Sequence, residues 1–131
     1  MKKIIPLLLL LLCLAGCHSG DYYADEANYI TAVGTVCHIQ YTDDGEELYL
    51  GISGLGSEFA DVNFRIIGDS LTAAQGRGID EKLQIGDEVT FISAPNYVGD
   101  GYVVPIAAFT VHGETLVEFS EGFESIRQRL A

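Results

Sequence analysis

Most of the chain is written in short runs where apolar residues fall at every second position, broken by glycine and aspartate. That period is the strand period, since successive side chains on an extended backbone point to opposite faces. From Ala32 to Tyr41 the alternation places Val33, Cys37, Ile39 and Tyr41 on one side and His38 and Gln40 on the other. Asp43-Asp44-Gly45 then supplies a hairpin turn, and Leu48, Leu50 and Ile52 resume the pattern, so these two runs are expected to pair. A third strand over 62–67 turns Val62, Phe64 and Ile66 inward and Asn63 and Arg65 outward. Between Asp69 and Leu83 the alternation stops. Asp69 or Ser70 can cap a short helix through Leu71, Ala73 and Ala74 that Gly76 and Gly78 bring to an end.

Strands resume over 83–92 around a bend at Gly86-Asp87, continue over 102–111 after a glycine-bearing loop from Pro95 to Gly101, and finish over 115–119 beyond a His112-Gly113 turn. The tail reads as an amphipathic helix. Ser120 is its candidate cap, Phe123, Ile126 and Leu130 share one face, and Glu121 and Glu124 precede Arg127 and Arg129 as the helix dipole favours. The fold class expected is mainly β: a small five- to six-stranded antiparallel barrel with one short internal helix and a C-terminal helix. From Ile30 to Val111 the order of elements resembles the small OB-fold domains of some exported bacterial proteins. The resemblance implies an OB-like barrel whose ligands lie on the face of strands two and three, between the Asp43–Glu47 loop and the Pro95–Gly101 loop.

The first residues follow a different rule. Lys2 and Lys3 precede an apolar run containing six consecutive leucines, Leu7 to Leu12, and the run closes on Leu14-Ala15-Gly16-Cys17. The apolar stretch is shorter than the roughly 20 residues that span a bilayer, but its length suits a secretory leader. The tetrad resembles the lipobox of bacterial lipoproteins. That resemblance implies acylation of the Cys17 thiol, with palmitate-type chains, and cleavage before it, so that residues 1–16 are a signal peptide. Residues 17–28 become the lipidated cysteine and a flexible tether, and residues 29–131 a single domain. It further implies attachment to the cell membrane or outer membrane with the domain on the extracytoplasmic side. A single chain of myristoyl size holds a protein only marginally, whereas two or more anchor it stably. The tether's Tyr22 and Tyr23 can alternatively dock on the domain. Cys13 leaves with the leader and Cys17 is acylated, so Cys37 is alone and is expected as a buried small hydrophobe.

Charge narrows the partners. The formal balance is −12 over 131 residues, and without Lys2 and Lys3 the remainder holds five basic against nineteen acidic residues, or −14. Such a domain repels polyanions, which excludes nucleic acid and electrostatic docking on anionic lipid. The expected partners are the membrane, through the lipid on Cys17, and a glycan, peptide or envelope protein.

Tyr49, Asn63, Arg65, Tyr97, Asp100 and Tyr102 are the candidate ligand-binding residues: rings with polar tips stack on sugars or peptide side chains, and Arg65, a cation in an acidic field, grips carboxylates. The acidic run Asp43-Asp44-Gly45-Glu46-Glu47 offers oxygen ligands but not EF-hand spacing, and Cys37 and His38 point to opposite faces of a strand, so no metal and no cofactor are expected. Gly76-Arg77-Gly78 lacks the preceding strand and the lysine of a phosphate cradle, and no nucleophile elbow or His-Glu-x-x-His helix is present. The expectation is a non-catalytic binding module. The alternatives are an accessory that docks on another envelope protein through the C-terminal helix, and a small hydrolase, whose signature would be a buried carboxylate pair.

Overall fold

The computed structural model describes residues 22–95 and 103–130, with side chains through Arg129. Six strands form one sheet: β1 (Ile30–Tyr41), β2 (Glu47–Ser53), β3 (Asn63–Ile67), β4 (Glu88–Ser93), β5 (Val103–Val111) and β6 (Glu114–Val117). Their order is β3-β2-β1-β4-β5-β6, and a parallel pairing of β3 with β5 closes the first five into a barrel. Every other pairing is antiparallel. Between β3 and β4 run two helices, α1 (Gly68–Gly76) and α2 (Ile79–Lys82), and α3 (Phe119–Leu130) follows β6. This is the OB-like barrel that the strand pattern and the single helical interruption imply, with β6 as an added strand.

The barrel interior is filled from alternate positions. Leu48, Leu50 and Ile52 of β2, Phe64 and Ile66 of β3, Val89 and Phe91 of β4, and Val104, Ile106, Phe109 and Val111 of β5 are all buried. Phe59, Phe64 and Phe91 meet at its centre with ring centroids 4.9–5.5 Å apart. Burying each such side chain is worth about 1.5–3 kcal/mol, so interior packing dominates stability.

Several expectations from the sequence are corrected. The phase of β1 is split by a bulge: the register with β2 jumps from Val36↔Ile52 to His38↔Gly51, leaving Cys37 unpaired. An extra residue reverses the inward and outward sets on either side of it. Val36 therefore faces the core, Val33 is 51% exposed, and Cys37 is an exposed free thiol, not a buried hydrophobe. His38 is exposed as well, so the two neighbours no longer alternate. Leu83 to Asp87 is not strand. Leu83 is buried behind α2, Ile85 protrudes at 67% exposure, and the bend is held by bonds from Gly86 N–H to Val36 O (2.8 Å) and from Val36 N–H to Asp87 O (2.9 Å).

Neither Asp69 nor Ser70 caps α1 through its side chain. The cap comes from α3, where buried Ser125 Oγ accepts the Ser70 N–H at 3.0 Å, while Ser70 Oγ donates to Ile67 O at 2.6 Å. Ser120 likewise does not start α3. Glu121 reaches back to accept the Glu118 N–H at 3.0 Å, half of a capping box.

A second layer lies on the outside of the barrel. Tyr23, Ile67, Ala94, Ala107 and Ile126 form a buried cluster, with Tyr22, Tyr29 and Phe119 packed against it. α3 lies so close to β5 that a Cβ built on Gly122 would sit 2.0 Å from Ala107 O, which only glycine permits. The α3 face containing Phe123 and Ile126 is thus spent on its own barrel: Ile126 is fully buried, and Phe123 stacks on Phe119 and meets Tyr29 edge-on. Phe123 and Ile126 are therefore not part of a free docking patch, and the side chain of Leu130, the third residue of that expected face, lies outside the described residues. The N-terminal segment joins this layer. Tyr23 is buried, Tyr29 donates its hydroxyl to Tyr23 O (2.7 Å), and Asn28 donates its amide to Tyr22 O (2.9 Å), so residues 22–28 are part of the domain and not flexible tether. Cys17 and the rest of the leader lie outside the described residues.

Candidate functional site

The outer faces of β1, β2 and β3 bring a polar row together. Gln40 stands opposite Tyr49 in the β1–β2 register, and Tyr49 stands opposite Arg65 in the β2–β3 register. Because residues directly opposite on adjacent strands share a face at about 4.5–5.5 Å between Cβ atoms, an amide, a phenol ring and a guanidinium lie side by side across three strands. Asn63 is exposed two positions before Arg65 on the same side of β3. Of the six residues singled out from the sequence, Tyr49, Asn63 and Arg65 are therefore on one wall. Tyr97, Asp100 and Tyr102 lie outside the described residues.

Charge is arranged differently from the lone cation expected. Arg65 Nη1 lies 3.2 Å from Glu47 Oε1, with both side chains about 15% exposed, and Arg129 Nη2 from the last turns of α3 reaches Glu47 Oε2 at 3.4 Å. Two guanidiniums share one carboxylate on a strongly acidic protein. Glu47 sits diagonally from Arg65 across β2 and β3, a pairing latent in the hairpin register, whereas the approach of Arg129 depends on how α3 packs and has no local signal in the chain. A concavity of about 340 Å³ adjoins this end of the row, lined by Gly45, Glu46, Asp69, Thr72, Gln75 and Arg129 among others.

Two carboxylates of the acidic hairpin tip are engaged. Asp44 Oδ1 accepts from Thr42 Oγ1 (2.6 Å) and from the Glu46 N–H (3.0 Å), and these bonds, the Thr42 hydroxyl first, hold its carboxyl below the ordinary range. Its last member, Glu47, is engaged by the two arginines. On β1, His38 Nε2 pairs with Gln40 Oε1 at 3.0 Å. Among the described residues no group of three His, Cys, Asp or Glu side chains is placed to hold a metal ion.

The described residues contain no buried carboxylate pair of the kind a small hydrolase needs. The buried polar side chains are Ser70, Ser93 and Ser125, and each is bound to backbone: Ser93 Oγ donates to Pro105 O at 2.7 Å, Ser70 Oγ donates to Ile67 O, and Ser125 Oγ accepts the Ser70 N–H and so ties α3 to α1. Arg77, which the sequence sets between two glycines, is a stitch. It donates to Leu116 O on β6 (2.9 Å) and forks onto both oxygens of Glu121 (2.6 and 2.9 Å). The phenol of Tyr41 is pushed above its ordinary pKa by burial and then by its bond to Asp80, and burial raises Tyr29 further. Neither belongs to the polar row.

No helix among the described residues is long and apolar enough to cross a membrane. No protein-family model matches the chain, and no curated protein sequence matches it.

Proposed function

We propose that this protein is a lipid-anchored extracytoplasmic binding module whose ligand is a glycan or peptide, held on the outer face of β2 and β3. The observation that supports this most is the cross-strand row of Gln40, Tyr49 and Arg65, which is not part of the apolar cluster beneath α3. A sugar or peptide side chain stacks on the Tyr49 ring, the Gln40 amide and Asn63 provide directional hydrogen bonds, and the paired Arg65 and Glu47 border the row. The anchor rests on the leader, whose basic start, apolar run and Leu14-Ala15-Gly16-Cys17 tetrad fall at the offsets of a lipoprotein signal. A domain held outside the membrane fits a role in holding an envelope component.

The test is a thermal-shift and NMR titration of the leaderless protein against cell-wall saccharides and acidic peptides. Binding is expected to perturb the amides of Gln40, Tyr49 and Arg65, and Tyr49→Ala is expected to weaken it by about 0.5–1.5 kcal/mol, the worth of an aromatic stacking contact. A ligand that perturbs other residues, or binds Tyr49→Ala and Arg65→Ala with unchanged affinity, contradicts the assignment.

A further inference from the structure

We infer that the anchored domain stands on the corner formed by residues 22–29, so that its Gln84–Asp87 and His112–Gly113 turns are held away from the lipid surface. This rests on the proposed acylation of Cys17, and it follows from where the chain becomes fixed. A free spacer of eleven residues would reach on the order of 20 Å and let the barrel tumble at the surface. The N-terminal segment is not free. Tyr22 meets Tyr23 edge-on at 5.3 Å between centroids, its carbonyl accepts the Asn28 amide, and Tyr23 is buried among Ile67, Ala94, Ala107 and Ile126. The chain is therefore pinned from Tyr22 onward, and five residue steps separate it from Cys17. They span at most about 17 Å even when fully extended, less than the width of a domain this size.

The pinned corner lies at one end of the β1–β4 ladder. Ile30 pairs with Ser93 there, and Ala94 joins the same cluster as Tyr23. At the ladder's other end Thr35 pairs with Glu88, next to the Gln84–Asp87 bend, and Val111 pairs with Val89, next to the His112–Gly113 turn. The two ends are about 17 Å apart along the strands. Inversion would demand a fully extended leash, so chain entropy favours the orientation with the pinned corner against the lipid.

The corner exposes Asp25 and Glu26 and carries no basic residue between 22 and 29, so anionic headgroups repel it and attachment depends on the acyl chains alone. The far end presents a polar concavity of about 520 Å³ lined by Asp87, Glu88, Thr90, Thr110 and His112. In this arrangement that concavity opens toward the envelope space.

The experiment uses the full acylated protein carrying Cys37→Ser, with a donor fluorophore at Ala27→Cys or at Ile85→Cys, both exposed positions. It is reconstituted in phosphatidylcholine vesicles containing a headgroup-labelled acceptor lipid. Vesicle co-sedimentation is measured on the same samples. Co-sedimentation with energy transfer from position 27 about twofold above that from position 85, reflecting the ~17 Å between the two ends, supports the orientation. Co-sedimentation with equal transfer, or with more from position 85, overturns the orientation while leaving the anchor intact. Failure to co-sediment overturns the anchor, and the orientation falls with it.

Discussion

The barrel's outer wall has two halves, and β3 belongs to both. Ile67, at its end, is buried under α3 together with Ala94 and Ala107, while Arg65, two residues earlier on the same side, joins the polar row with Tyr49 and Gln40. Where the outward residues are small or apolar, a helix and the 22–29 segment cover them. Where they are amide, phenol and guanidinium, α3 reaches them only through the polar Glu47–Arg129 contact of its last turns. The proposed ligand face is therefore defined by how the added layer meets the barrel as much as by the barrel itself.

The strongest way to break this comparison is to lift the helix. Gly122→Val places a side chain into the Ala107 backbone and is expected to cost about 3 kcal/mol, at the upper end of overpacking penalties, measured by chemical denaturation. The barrel interior should survive, so near-native β circular dichroism with a lowered midpoint is the expected result. An unchanged midpoint means that the helix does not pack as described.

A smaller effect sharpens the stitch between the two layers. The Arg77 guanidinium, and next the Glu118 N–H, hold the Glu121 carboxyl below its ordinary value of 4.5. A group depressed in the folded state contributes stability above its unfolded pKa, and that contribution fades as pH falls through the folded value. Stability should therefore decline below about pH 4.5. Glu121→Gln should flatten that decline while lowering stability slightly at pH 7. Both side chains are about one-third exposed, so solvent screening keeps the effect modest. A wild-type profile retained by Glu121→Gln would show that the pair is not the sensor.

The smallest expected effect concerns the open half. Cys37→Ser should shift stability by less than about 0.5 kcal/mol, because the thiol is exposed on a bulge, and a thiol reagent should label Cys37 in the folded protein without denaturant. Slow labelling that requires unfolding contradicts the bulge.

Much of the barrel was legible in the sequence because alternation is a local signal. Val62 to Ile67, Leu48 to Ile52 and the His112-Gly113 turn lie where the pattern puts them. The interior helix was legible from the loss of that alternation, although its cap was not, since Ser125 is distant in sequence and supplied by packing. The bulge at Cys37 was hidden because Val33, Cys37, Ile39 and Tyr41 share a parity that a single inserted residue reverses halfway along the strand. The second layer was hidden for a similar reason: an amphipathic α3 announces an apolar face but not the surface it meets, and Tyr22 and Tyr23 read as well in a spacer as in a cluster. Of the polar row, Tyr49 and Arg65 were visible as an aromatic residue and a cation on outward positions. Gln40 and Arg129 became visible only through register and packing.

The account depends most on the chemistry of Cys17, and the most direct measurement is the mass of the N-terminal peptide of protein extracted from its native membrane. The account predicts a chain that begins at Cys17 and carries the added mass of a diacylglyceryl group on its sulfur. A peptide that retains residues 1–16, or begins at Cys17 with an unmodified thiol, contradicts it.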